Sequence, residues 1–170
     1  MASEGTGVAE AAAIRRAGRG SRRGETTQNW LTIFPLLTIT VLIYNLLALF
    51  GGTDAATGAP RALALMDSQA FSLTMASGAV WQIAWGDVLV IISLFLLFAE
   101  LLKSTGSGSM EIFNHALSMF VFIICLVEFL LIEGFASSTF FVIMLMTLLD
   151  VLAGVIVTIN SARRDIGLEQ

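Results

Sequence analysis

Four stretches of the chain, Leu31 to Phe50, Val80 to Leu102, Ile112 to Ile132 and Thr139 to Ile159, are each predominantly apolar and about twenty residues long. No other feature restricts the fold as strongly. A bilayer's hydrocarbon core is about 30 Å thick and a helix rises about 1.5 Å per residue, so each run matches the length a spanning helix needs. The short alternating segments of a β-barrel are absent, and a helix satisfies its backbone polar groups within one segment. The chain is 56% hydrophobic and 13% charged, against about 25% charged in soluble domains. The sequence therefore predicts an all-α membrane protein. It is a four transmembrane helix bundle over residues 30–160, with spans at about 31–50, 80–102, 112–132 and 139–159.

Charge sets the expected direction. Arg15, Arg16, Arg19, Arg22 and Arg23 precede the first run, Lys103 lies in the second connection, and Arg163 and Arg164 follow the fourth run. Arg61 stands alone on the other side. Basic residues stay on the cytoplasmic side of short connections, so both ends are expected in the cytoplasm. Residues 1–29 read as a disordered basic cytoplasmic tail and 161–170 as a cytoplasmic tail. A twin-arginine export signal is the competing reading of "SRRGETTQNWL". The apolar run that follows is longer than a signal peptide uses, which favours an uncleaved span. Trp30, Trp81 and Trp85 fit interfacial anchors.

The outer connection, 51–79, is long enough for a short interfacial helix opened by Pro60. The connection before Ile112 is Gly- and Ser-rich, and "EGFASS" reads as a tight turn with Ser137 or Ser138 as N-cap.

Ionisable residues within the spans need a reason, because a charge at a helix centre costs about 2.5–3.5 kcal/mol on insertion scales. By rise per residue, Asp87 lies roughly 10 Å and Glu128 roughly 6 Å from the outer boundary, with Asp150 near the midplane. Glu100 and His115 lie within roughly 5 Å of the inner boundary. Glu100 has Lys103 at i+3, and His115 has Glu111 four residues before it, which predicts an ion cluster at that boundary. A proton relay or metal ligand is the sharper reading of His115, though it has no second His or Cys at ligand spacing. Asp87, Glu128 and Asp150 form an acidic group with no Lys or Arg at comparable depth. Either they are protonated and hydrogen-bond between helices, or they face water, a cation or a basic residue of another protein. Asp150 shares a helix face with Gly154, a small residue that lets another backbone approach closely. Tyr44 and Asn45 are candidates to complete a polar network.

The chain lacks G-x-x-x-x-G-K-[ST], H-E-x-x-H, C-x-x-C and G-x-S-x-G. With one His and one Cys, Cys125, enzymatic chemistry is the weakest class, and the residues imply no cofactor, no metal and no nucleic-acid partner.

The segment "FASSTFFVIMLMTLLDVLAGVIVTINSARRDIG" (Phe135 to Gly167) resembles the final span of small four-span inner-membrane proteins of alphaproteobacteria. "NHALSM" and "CLVEFLLIEGF" before it share the likeness, which covers roughly the C-terminal half. It implies fold and location and carries no activity. Size and topology are also similar to the small four-span subunit of tripartite solute transporters, without a residue-by-residue match. The expectation is an accessory or assembly subunit of a membrane complex, or a homo-oligomer, whose partners are lipid and other membrane subunits. The alternative is a proton- or cation-coupled transport component that uses the intramembrane carboxylates.

Overall fold

A computed structural model describes residues 34–103 and 109–167. The expected tail over 1–29, with its arginines and Trp30, lies outside the described residues. The elements in chain order are helix α1 (Thr38–Phe50), the short helix α2 (Arg61–Asp67), strands β1 (Gln69–Thr74) and β2 (Val80–Ala84), then helices α3 (Trp85–Lys103), α4 (Ser109–Leu131) and α5 (Ser138–Gly167). A 3-10 turn, Glu133–Phe135, joins α4 to α5.

Three of these helices are long and apolar enough to cross a membrane, over Trp85–Lys103, Phe113–Leu131 and Ser138–Val157. They fit a membrane protein. Their outward faces carry exposed Phe95, Phe98, Phe120, Leu130, Leu131 and Ile156, as lipid-facing helices do. The first apolar run differs from its expected length. Its helix has 13 residues, about 20 Å of rise. The reason is Pro35, which has no N–H and marks a first turn rather than a helix interior.

The second expected span also begins later. Residues 80–84 form β2, which pairs antiparallel with β1 in a hairpin where Leu73 faces Trp81 and Phe71 faces Ile83. Gly78, at φ 82°, supplies the left-handed residue of the connecting turn. The all-α expectation is thereby qualified: the 51–79 connection holds the short helix expected after Pro60, α2, and then strand β1, whose partner β2 takes the first residues of the second expected span. At the other end of the chain, α5 runs on through residues 161–167, where a tail was expected to begin.

α5 is the hub, packing along both α3 and α4. Its start is fixed by Ser137, whose hydroxyl accepts from the Phe140 N–H at 3.1 Å as an N-cap does. At the hairpin end, Tyr44, Phe135 and Phe140 form an aromatic cluster with ring centroids 4.8–5.5 Å apart. Val41, Met66, Leu89, Cys125 and Ile143 extend this core. Gly86 lets α3 approach α5 here, since a Cβ at that position would collide with the Thr139 hydroxyl. In the 51–60 loop, Asp54 accepts hydrogen bonds from the Ala56 and Thr57 amides and the Thr57 hydroxyl. These bonds hold its carboxyl below the ordinary carboxylate range.

Candidate functional site

The opposite end of the bundle is built around Glu100, whose side chain is fully buried. A buried carboxylate must be matched by donors or it destabilises the fold. Glu100 is matched from three directions. Asn114 Nδ2 of α4 donates to Oε1 at 2.6 Å. Lys103 Nζ, one turn along α3, pairs with the same oxygen at 3.0 Å. The Leu36 backbone N–H donates to Oε2 at 2.8 Å. That last bond has a simple origin. First-turn N–H groups have no partner within their own helix, and the positive end of the helix dipole favours a carboxylate. Lys103 also donates to the Phe34 carbonyl at 3.0 Å, so the Glu100–Lys103 pair grips the chain on both sides of Pro35.

Asp150 belongs to this neighbourhood. Its side chain is 1% exposed, and the Ser118 hydroxyl interacts with its carboxyl. Glu100, His115 and Lys103 are close enough to act on it electrostatically. The expected group of Asp87, Glu128 and Asp150 is therefore not one site. Asp87 is exposed in the first turn of α3, where its Oδ2 accepts from the Ala84 N–H at 2.9 Å and caps the helix start. Glu128 is half-buried and accepts from Asn45 Nδ2 at 3.1 Å. Lys103, at the end of α3, is nonetheless among the groups that act electrostatically on Asp150. Long side chains cover several ångströms that a depth estimate from Cα rise ignores.

Tyr44 lies in the aromatic cluster, where its hydroxyl meets Ser137 Oγ at 2.6 Å and donates to the Gly134 carbonyl at 3.3 Å. It joins α1 to the cap of α5, separate from Glu128. His115 presents its ring to Gly154 of α5, where a Cβ would collide with the imidazole. The close approach that Gly154 permits is thus made by a side chain and not by another backbone. The Glu111 side chain, its expected partner, lies outside the described residues.

Four buried side-chain atoms have no hydrogen-bond partner among the described residues: Thr38 Oγ1, both ring nitrogens of His115, and Asp150 Oδ1. Native structures leave few such groups, and each calls for an explanation. Two shallow surface hollows, one lined by Leu94, Phe95 and Phe98 and the other by Phe129, Ser137 and Phe141, contain no ionisable side chain. Among the described residues no three His, Cys, Asp or Glu side chains gather as a metal site would require.

Asn114, Ser118 and the Leu36 amide were not foreseen as members of this site. Pro35 was the available signal, because it marks where a helix exposes unpaired N–H groups to be capped. Comparison with protein families, with curated proteins and with solved structures finds no match for this chain.

Proposed function

We propose that this is a multi-pass protein of the bacterial inner membrane that crosses four times with both ends in the cytoplasm. It acts as an accessory or assembly subunit of a membrane complex, or as a homo-oligomer, and not as an enzyme. The observation that supports this best is the use of its buried charges. Glu100 and Lys103 join α3 to α4 and to the start of α1, and Glu128 joins α4 to α1. These groups are engaged in holding helices together. On this reading α1 is a short first span, and the basic residues of the sequence set the direction. The likeness of the C-terminal half to small four-span inner-membrane proteins belongs to the same reading.

The test is the native mass and protein content of the particle after gentle extraction from its own membrane. A defined heteromer or homo-oligomer is expected. A monomer with no associated protein overturns the reading.

The unpartnered atoms of Asp150 and His115 favour a second reading, a component that handles a proton or cation. Asp87 and Glu128 stand apart from Asp150, so this reading narrows to the Asp150 neighbourhood. Ion flux in vesicles that survives Asp150→Asn would remove it.

A further inference from the structure

The α4–α5 seam has two adjacent polar rungs. In one, Ser118 of α4 meets Asp150 of α5. In the next, His115 of α4 lies against Gly154 of α5. The numbering is consistent with antiparallel helices: three residues back on α4 accompany four residues on along α5. The rungs are separated by one helical turn, about 6 Å of rise. Within that turn lie three of the four unpartnered buried atoms, Asp150 Oδ1 and the two His115 nitrogens.

The chemistry of these atoms is complementary. A neutral imidazole has one donor nitrogen and one acceptor nitrogen, while a carboxyl oxygen accepts when ionised and donates when protonated. A single water can join a carboxyl and an imidazole that do not touch, where the site is polar and has room to hold it. Among the described side chains, with the Glu111 side chain of α4 outside them, these are the charged groups that act on Asp150. From α3 come Glu100 and Lys103, already paired with each other at 3.0 Å; α4 contributes His115 and α5 contributes Asp150. α1 has no charged residue in its sequence. The Glu100–Lys103 pair is satisfied by its own hydrogen bonds, while Asp150 Oδ1 and the two His115 nitrogens have no partner among the described residues.

We propose that Asp150 and His115 form one proton-binding site, bridged by an internal water in the α4–α5 seam. The site goes beyond the assembly reading and does not depend on it. The bound proton has two resting places. It sits on Asp150 Oδ1 beside a neutral imidazole. Alternatively, Asp150 gives it to the water while the water gives one of its own protons to a ring nitrogen. That leaves a carboxylate and an imidazolium, with the water unchanged and the charge conserved. Gly154 is a positioning residue: it makes the notch that holds the ring within reach of Asp150.

The chain's single histidine makes the test site-specific. Full-length protein with 15N-labelled histidine, purified without a histidine tag and returned to lipid bilayers, would be followed by solid-state NMR as pH is varied. The expected result is a ring whose two nitrogens exchange protons with water, with a titration midpoint that moves by about one pH unit or more in Asp150→Asn. Gly154→Ala, which displaces the imidazole, is expected to abolish that dependence on Asp150. If Asp150→Asn does not fold, Asp150→Glu carries the same comparison, because an added methylene shifts the carboxyl relative to the ring. A ring that stays in one protonation state at every pH where the protein is folded overturns the proposal. So does a midpoint that none of the Asp150 variants moves. Native mass is read independently, so failure here leaves the assembly reading standing, and the reverse is also true.

Discussion

The two ends of this bundle are held by different physics. At the hairpin end, Tyr44, Phe135 and Phe140 pack ring against ring, and Gly86 and Ser137 fix the approach and the start of α5. At the other end, buried Glu100 gathers a lysine, an asparagine and a backbone amide, and acts electrostatically on Asp150. Dispersion between apolar groups is non-directional and tolerant of exchange between similar shapes. Buried charges and hydrogen bonds are neither, because each partner removed leaves another exposed to a low dielectric. The aromatic end supplies packing while the charged end supplies register. A one-residue slip of α4 would keep apolar contacts but would part Asn114 from Glu100 and Ser118 from Asp150.

The largest expected effect tests the charged end. Glu100→Ala strands Lys103, Asn114 and the Leu36 amide, and should destabilise the protein by about 4 kcal/mol, within the range for breaking a buried ion pair. Reversible unfolding in mixed micelles measures it. A loss under about 1 kcal/mol, the worth of an ordinary hydrogen bond, would erase the contrast between the two ends. The aromatic end comes next. Phe140→Ala should cost about 3 kcal/mol through the cavity it leaves, and Phe140→Leu clearly less, in the same unfolding measurement. Equal losses for the two variants would mean that ring geometry, and not volume, holds that end. The smallest effect lies in the 51–60 loop. Asp54 has a lowered folded-state pKa, so its hydrogen bonds contribute above the ordinary carboxylate range and are lost as pH falls through the lowered value. Hydrogen-exchange protection at Ala56 and Thr57 should fall with acid over that window. Asp54→Asn should flatten the response while the aromatic core keeps its protection.

Much of the scaffold was legible because lipid imposes a simple rule. A helix must be long and apolar enough to cross, and that can be counted along a sequence. The runs around α3, α4 and α5 obeyed it. Pro35 and the β-prone stretch from Val80 to Ala84 were also visible, yet apolar length outweighed them in the count, and the helices begin at Thr38 and Trp85 instead. The i+3 spacing of Glu100 and Lys103 announced their pair, since both lie on one helix.

The site was legible only in its ingredients. The sequence alone predicted four crossing-length runs, of which three are helices long enough to cross, a cap at Ser137 or Ser138, and an acid at 150 on the same helix face as a glycine one turn on. The tertiary structure alone decided that Asp150 stands with Glu100, Lys103 and His115 while Asp87 caps a helix and Glu128 meets Asn45. The reason is geometric. Depth along one helix is set by a fixed rise, but which side chains meet depends on how neighbouring helices turn and slide, and that is fixed by packing across the whole bundle.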